Sequence, residues 1–167
     1  PGSDLFSINM QALKSVYDLN LMGTLLPTQV FGRQMAVRKQ GSIVNISSIS
    51  ASRGLTRVLG YSLAKAGVEA YTRWMAVELA NRHGDAIRIN ALVPGFFLTE
   101  QNKRLLTTES GTYTERAQSI IHHTPFSRLG DPSELEGGLI WLLSDAARFV
   151  TGTTITIDGG FSAFSGV

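Results

Sequence analysis

Apolar residues recur near the start of the chain at the three- and four-residue spacing typical of a helix. The members of this pattern are Val16, Leu19, Met22, Leu26, Val30 and Phe31. It predicts a helix over residues 10–39. Pro27 lies inside that range and removes the backbone hydrogen bond to the carbonyl of Gly23. We therefore expect the helix to kink between Gly23 and Pro27, just after Asn20.

Short apolar, β-branched runs alternate with helical patterns along the rest of the chain. The predicted strands cover 42–46, 87–93 and 153–157, and the predicted helices between them cover about 59–82 and 131–143. His83-Gly84-Asp85 ends the first of these helices, and Asp131-Pro132-Ser133-Glu134 begins the second. This alternation predicts the α/β class, with a parallel sheet between two layers of helices. Three such strands make half of a doubly wound sheet.

The segment 96–131 interrupts this alternation. Its composition is mixed, and it contains two short helical patterns near 101–107 and 113–122. A long connection of this kind inside a compact domain is typical of a substrate lid. We expect a single partial domain over residues 1–167, with the lid at about 96–131.

Bulk composition excludes several classes of protein. The 167 residues, 43% hydrophobic and 17% charged, suit one globular domain. A net charge of +2, with no Lys/Arg run longer than Arg38-Lys39, gives no footprint for nucleic acid. No apolar run has the roughly 18–20 residues that a membrane span needs. The chain has no cysteine, which excludes thiol chemistry and fits a reducing compartment.

Polar residues at the ends of predicted elements are the candidates for chemistry. Tyr61 and Lys65 are four residues apart in the helix 59–82, so their side chains share one face. A nearby ammonium favours the phenolate, lowers the pKa of the tyrosine and suits the pair to proton transfer. Ser48 follows the first predicted strand and Pro94-Gly95 the second, where open α/β sheets have their ligand crevice. Each feature alone is more often structural, but together they indicate an active site.

This combination resembles the short-chain dehydrogenase/reductase family, from about Val16 to Gly160. Asn45-Ile46-Ser47-Ser48 is similar to the strand-end motif of the family, and Tyr61 with Lys65 to its Y-x-x-x-K pair. Asn20 matches the asparagine that completes its catalytic tetrad. The resemblance implies that Tyr61 exchanges a proton with the substrate oxygen, Lys65 lowers the pKa of Tyr61 and binds the cofactor ribose, and Ser48 holds the substrate oxygen. Asn20 would position a water for proton exchange.

The resemblance also implies a nicotinamide cofactor, NAD or NADP, with NAD preferred. The segment Arg88 to Gly95, followed by Thr99, is similar to the family segment that contacts the nicotinamide. The cofactor-binding candidates are Tyr61, Lys65, Pro94, Gly95, Phe97 and Thr99. Thr151-Gly152 and Asp158-Gly159-Gly160 are similar to the last strand and its exit.

One departure from the family pattern is large. The glycine-rich turn T-G-x-x-x-G-x-G, which seats the pyrophosphate at a helix N-terminus, is absent from the sequence. The chain also starts at Pro1-Gly2-Ser3 without a methionine. We therefore interpret it as the C-terminal half of a Rossmann domain, three-layer α/β/α, from a longer enzyme, with a truncated paralogue as the alternative.

Within the family, four stretches are most similar to sugar-acid oxidoreductases of the D-mannonate/fructuronate type. They cover 55–57, 94–102, 123–125 and 158–167. Arg57 lies in the loop between Ser48 and Tyr61, and a guanidinium can hold a carboxylate bidentately. The candidates for binding substrate are therefore Ser48 and Arg57, and Arg53 is a weaker candidate. The alternative interpretation of Arg57 is a solvated surface arginine.

The three histidines of the chain have no metal-ligand spacing. His83 beside Gly84 is interpreted as a helix-end residue, whereas His122 and His123 lie in the lid segment, where contact with substrate is the less favoured interpretation.

Three functional hypotheses stay open. The leading one is an oxidoreductase of a sugar acid or polyol, and the second is a reductase of 3-oxoacyl thioesters. The third is a binding or structural protein without catalysis, which the intact Ser48, Tyr61 and Lys65 set disfavours. The resemblance further implies a cytoplasmic homotetramer with a small-molecule substrate, paired through the helices 10–39 and 59–82.

Overall fold

The computed structural model describes residues 6–100 and 102–166, and this part of the chain has six α-helices and three β-strands. The helices are α1 (Met10–Tyr17), α2 (Gly23–Arg38), α3 (Leu59–His83), α4 (Lys103–Leu106), α5 (Glu115–His123) and α6 (Glu136–Leu143). The strands are β1 (Gly41–Ile46), β2 (Ile87–Pro94) and β3 (Thr154–Ile157). Pro1-Gly2-Ser3, Gln101 and Val167, which entered the predictions above, lie outside the described residues.

The three strands form one parallel sheet in the order β1-β2-β3. Pairing of β1 with β2 runs from Gly41–Ile87 to Ile46–Leu92, and pairing of β2 with β3 from Ala91–Thr154 to Pro94–Ile157. The predicted parallel α/β arrangement is confirmed, and each strand bound differs from its prediction by at most one residue.

Helices cover both faces of this sheet. Ile87 and Ile89 of β2 face α3, where they form a buried cluster with Ala76 and Leu79. Side chains alternate between faces along a strand, so Arg88 points the other way. Its guanidinium donates to the carbonyl of Leu142 at the end of α6, at 2.9 Å. The central strand therefore lies between two layers of helices.

The first strand is less buried than its apolar sequence predicts. Its residues are mostly half-buried, and Ile46 is 45% exposed, whereas Ile87 to Val93 of β2 are all buried. β1 is an edge strand, because within the described residues it pairs only with β2. Pairing on one side only accounts for this partial burial.

The predicted helix over 10–39 has its irregular turn earlier than expected. Residues Asp18–Met22 form a π-helical segment between α1 and α2, and the Gly23 N–H donates to the Asp18 carbonyl five residues back. Such wide turns insert an extra residue into the helix and occur often at functional sites. Asn20 lies within this segment, whereas Pro27 lies inside the regular helix α2.

The end of α3 and the start of the α6 region were predicted correctly from their local sequence. α3 stops at Gly84, whose φ of +63° lies in the left-handed region that glycine adopts without steric cost. Asp131 and Glu134 form a capping box around a short 3₁₀ turn, Pro132–Leu135, that leads into α6. Over residues 6–100 and 102–166, none of the helices combines the length and apolar character that crossing a membrane requires.

Candidate active site

The candidate active site lies at the carboxyl end of the sheet, where the three strands stop together. In parallel α/β sheets this edge forms the ligand crevice. The exits of β2 and β3 touch: the Gly95 N–H donates to the Ile157 carbonyl at 2.9 Å. A Cβ at position 95 would lie 2.5 Å from the Cβ of Asp158, so only glycine permits this approach.

Ser48 and Tyr61 meet at this edge through a side-chain hydrogen bond. Ser48 follows β1 in an extended conformation, and its hydroxyl accepts from the Ser50 N–H at 3.2 Å. Tyr61 lies in the first turn of α3. Burial raises the pKa of Tyr61, and the Ser48 hydrogen bond lowers it only in part. Lys65 is not among the causes of this shift, so its predicted effect on the pKa of Tyr61 stays a prediction.

Lys65 is held between the end of β1 and the tyrosine ring. Its ammonium Nζ donates to the Ile46 carbonyl at 2.8 Å and lies 5.4 Å from the centre of the Tyr61 ring. A cation at that distance from an aromatic face is attracted by the ring. Burial lowers the pKa of Lys65, because the charged form is poorly solvated there. Tyr61 and Lys65 thus lie close together, as their spacing predicted.

Buried hydrogen bonds fix α3 against β1 and so fix this cluster. The Ser47 hydroxyl lies 2.9 Å from Oε1 of Glu69 and 3.4 Å from the Lys65 carbonyl. Asn45 donates its amide to the Thr72 hydroxyl at 2.9 Å. The sequence analysis missed Glu69 and Thr72 as positioning residues. Their spacing from Lys65 in one helix is the signal that was available, since residues 65, 69 and 72 share a face.

Asn20 shares a cavity with Lys65. Both residues line a space of about 590 Å³ between α2 and β1. The Asn20 side-chain amide donates to the Val16 carbonyl at 3.1 Å, and the backbone carbonyl of Asn20 accepts from the Thr24 hydroxyl at 3.0 Å. The structure thus joins Ser48, Tyr61 and Lys65 in one cluster and connects Asn20 to it through this cavity.

The segment after β2 forms a tight turn that its own side chains and backbone hold together. Phe97 is buried, and its ring packs against Gly130. The Asn102 side chain closes the turn: its amide donates to the Phe97 carbonyl at 2.6 Å, and its oxygen accepts from the Thr99 N–H at 2.9 Å. Asn102 therefore positions Thr99, while the buried Phe97 ring packs on Gly130.

The donor set at this edge suits one half of a nicotinamide cofactor. The Lys65 ammonium and Tyr61 hydroxyl are donors suited to ribose hydroxyls, and Pro94, Gly95 and Thr99, which follow the neighbouring strand β2 or end it, are half-buried. The sequence contains no glycine-rich turn that would suit the pyrophosphate. The residues present therefore fit the nicotinamide half alone.

A second cavity, of about 540 Å³, lies among the segments that follow the strands, and its lining does not include Ser48, Tyr61 or Lys65. The loop 54–57 forms one wall, and the helix α5 and Phe161 form others. Arg57 lines this cavity and also a neighbouring one of about 690 Å³ that reaches Ser7–Asn9. The backbone of Arg57 has a φ of +69°, which is uncommon for a residue other than glycine.

Other candidates have different positions. The Arg53 guanidinium makes a short hydrogen bond to the Ser162 carbonyl and so ties the loop to the C-terminal segment. His123 lines the 540 Å³ cavity, with its ring centre 5.2 Å from that of Phe161. His83 is the last residue of α3, and His122 lines a separate surface cavity. Within the described ranges, no group of three or more histidine, aspartate or glutamate side chains is arranged to hold a metal ion.

A parallel α/β sheet with a Ser–Tyr–Lys cluster at its strand ends defines the class of protein, one with a Rossmann-type fold. A short-chain dehydrogenase model described as Enoyl-(Acyl carrier protein) reductase matches residues 2–162. The chain belongs to the short-chain dehydrogenase/reductase family, as its motifs predicted.

Known proteins similar to this chain are longer than it. An uncharacterised oxidoreductase, UxuB, of Bacillus subtilis is 42% identical over 167 residues, 99% of this chain and 59% of its own length. A structure designated a D-mannonate oxidoreductase from Haemophilus influenzae, with bound NAD, is 40% identical (TM-score 0.87; 100% of this chain, 62% of that one). A gluconate 5-dehydrogenase from Burkholderia cenocepacia, in complex with NADP and tartrate, is 30% identical (TM-score 0.86; 98% and 61%). The chain thus spans about three fifths of these relatives.

Proposed function

We propose that this protein is a nicotinamide-dependent oxidoreductase that interconverts a hydroxyl and a carbonyl group of a sugar acid or polyol, of the D-mannonate/D-fructuronate kind. The observation that carries the proposal is the convergence of Ser48, Tyr61 and Lys65 at the carboxyl end of a parallel sheet. A protein that only binds or scaffolds needs none of these three groups at this place.

The chemistry follows from the cluster. In the direction of oxidation, Tyr61 accepts the proton of the substrate hydroxyl, Ser48 holds that oxygen, and the C=O bond forms as hydride leaves the carbon. The bound nicotinamide supplies the hydride acceptor or donor. Lys65 stabilises the tyrosinate and binds the ribose, and Asn20 positions a water that exchanges the proton with solvent. General acid–base help of this kind accelerates reactions by about 10²–10⁴-fold.

The substrate assignment rests on Arg57 and on the similar proteins. Arg57 lines the 540 Å³ cavity, where a guanidinium can bind a carboxylate in bidentate fashion. The similar solved proteins are named as oxidoreductases of mannonate and gluconate, which are both sugar acids. The second candidate, a reductase of 3-oxoacyl thioesters, is favoured by the description of the family model, which names an acyl carrier protein.

The test is turnover by the full-length protein. Oxidation of D-mannonate and D-gluconate is compared with that of D-mannitol and D-glucitol, which replace only the carboxylate by a hydroxymethyl group. Reduction of acetoacetyl coenzyme A tests the acyl alternative. We expect the acids to have the highest kcat/KM. Turnover of the thioester alone would move the assignment to the second candidate, and no turnover at all would move it to a binding protein.

We propose NAD as the preferred cofactor and the cytoplasm as the site of action. The similar structure at 40% identity holds NAD, whereas the one at 30% holds NADP. The ratio of kcat/KM for the two cofactors tests this preference. Cellular pools of both are intracellular, so cell fractionation should recover the activity in the cytosolic fraction.

We propose a homotetramer that assembles through α2 and α3. Both helices expose large apolar side chains, and contiguous apolar surface of this kind marks protein interfaces. The exposed residues are Leu26, Val30 and Phe31 on α2, and Leu63, Trp74 and Val77 on α3. Analytical ultracentrifugation at micromolar concentration should show four copies, and a folded monomer would overturn the assignment.

A further inference from the structure

We propose that Arg116 of α5 is a specificity-determining residue that binds the substrate carboxylate together with Arg57. This inference rests on the proposed sugar-acid function and deepens it. It places the two groups that bind the carboxylate on two elements, Arg57 on the loop 54–57 and Arg116 on α5.

The cavity that Arg116 lines is built from the exits of all three strands. The loop 54–57 connects Ser48 after β1 to Tyr61, Phe96 follows Gly95 after β2, and Phe161 follows β3. Substrate must reach this edge to meet the catalytic cluster. Its walls are aromatic: the rings of Phe96 and Phe161 meet edge-on with centres 5.1 Å apart. An aromatic wall with convergent polar groups is the usual composition of a small-molecule site.

The charged groups of this cavity favour an anion. Arg57 and Arg116 are its two guanidinium groups, against the single carboxylate of Glu115. The hydroxyl of Ser119 and the ring of His123 complete the polar lining from α5. A site with this excess of positive charge suits a carboxylate, and its hydroxyl and carboxylate groups suit the polyol chain of a sugar acid.

Arg116 is oriented but its charge is not neutralised. The residue is half-buried, and its Nη1 donates to the Thr56 hydroxyl at 3.4 Å, a long bond to a neutral group. Among the described residues no carboxylate lies within ion-pair distance of Arg116, unlike Arg82 and Arg128, which pair with Glu78 and Glu134. A guanidinium has five donors in a planar fork, and the bond to Thr56 uses one of them. The bond to Thr56 also holds α5 next to the loop that carries Arg57.

The experiment compares acid selectivity in variants of the full-length enzyme. Selectivity is the ratio of kcat/KM for D-mannonate to that for D-mannitol, with the D-mannonate Kd measured by calorimetry in saturating cofactor as a second readout. Arg116→Ala should reduce selectivity by about ten- to a hundred-fold and weaken the Kd in parallel. Arg116→Lys should restore only part of it, because an ammonium lacks the planar fork. Glu115→Gln should raise selectivity, because it removes the opposing charge.

Two further variants separate ligand binding from a structural role. Thr56→Val removes the hydroxyl that Arg116 contacts but keeps the guanidinium, so selectivity should fall less than in Arg116→Ala. Arg104→Ala removes the same charge from exposed α4, outside this cavity, and should leave selectivity unchanged.

The outcomes distinguish the two proposals. If the wild-type enzyme oxidises sugar acids but Arg116→Ala loses equally on acid and alditol, or if Thr56→Val reproduces its loss, Arg116 is structural and the proposed function stands. If the wild-type enzyme neither binds nor oxidises a sugar acid, the proposed function and the Arg116 assignment are both overturned.

Discussion

The Ser48, Tyr61 and Lys65 cluster and the 540 Å³ cavity are both formed by segments that follow the strands, but they are held in place differently. Ser48, Tyr61 and Lys65 are fixed by buried hydrogen bonds between β1 and α3, which include the Ser47–Glu69 contact at 2.9 Å. The cavity is enclosed by an exposed loop and by α5, which are joined by the long bond between Arg116 and Thr56. Buried polar networks rigidify, whereas exposed single contacts do so weakly.

This difference separates two tasks. A rigid cluster keeps the proton-transfer distances constant, as a reaction that depends on sub-ångström geometry requires. A loosely joined cavity can change its shape and charge without disturbing that geometry. We infer that substitutions in the cluster change the rate on every substrate, whereas substitutions in the cavity change the ranking of substrates.

The largest effect is expected at Tyr61. Tyr61→Phe removes only the hydroxyl that transfers the proton, so kcat should fall by about 10²–10⁴-fold on acids and alditols alike. Cofactor affinity, measured by fluorescence titration, should stay within a few-fold. A variant that keeps a tenth or more of the wild-type kcat would contradict the catalytic assignment.

Lys65→Ala should damage both turnover and cofactor binding. The substitution removes the ammonium beside the Tyr61 ring and the donor to the Ile46 carbonyl. We expect kcat/KM to fall by about ten- to a hundred-fold, since a hydrogen bond to a charged group contributes about 1.5–3 kcal/mol. The same titration used for Tyr61→Phe should show weaker cofactor binding. Unchanged affinity would mean that Lys65 acts on the tyrosine alone.

Arg57→Ala should change the preference between acid and alditol substrates rather than abolish the reaction. We expect a loss of about ten- to a hundred-fold in kcat/KM on D-mannonate, and a smaller loss on D-mannitol. Arg57→Lys, which shares any backbone cost at φ +69°, should recover part of the difference. Equal losses on both substrates would show that Arg57 supports the loop.

The smallest expected effect is a shift of the pH profile. The Ser48 hydrogen bond lowers the pKa of Tyr61, against the raising effect of burial. Ser48→Ala removes the lowering cause, so that pKa should rise. Oxidation needs the tyrosinate, so the ascending limb of kcat/KM against pH should move to higher pH. Ser52→Ala removes an exposed hydroxyl from the same turn and is the control, whereas Ser50 is unsuitable because its hydroxyl donates to that of Ser48. A profile that shifts downward or not at all contradicts this coupling.

Periodicity and motif spacing predicted the sheet, the helix α3 and the meeting of Tyr61 with Lys65. These features depend on local pattern, which a sequence shows directly. The π-helical segment was not predicted, because Pro27 gave the stronger local signal. Leu21 in that segment packs so closely on α3 that a Cβ at Gly67 would lie 3.1 Å from it. That contact is tertiary and leaves no mark in the nearby sequence.

Neither the raised pKa of Tyr61 nor the position of Arg116 in the cavity could be predicted from the sequence, because both depend on residues that are distant along the chain. Burial of Tyr61 depends on side chains that are distant along the chain. The segment 100–122 has three basic and three acidic residues, but of these only Arg116 and Glu115 line the cavity, where Arg57 joins them. Net charge along a segment therefore says little about the charge that a ligand meets.

The left-handed backbone of Arg57 limits how this enzyme can be redesigned. At a φ of +69°, a β-branched residue is a steric outlier, whereas glycine and asparagine are tolerated. A library that replaces Arg57 with valine, isoleucine or threonine would mix changes in recognition with distortion of the loop. Restricting position 57 to glycine, asparagine, lysine and alanine, while varying Arg116 and Ser119 freely on a regular helix, would let the two walls be engineered independently.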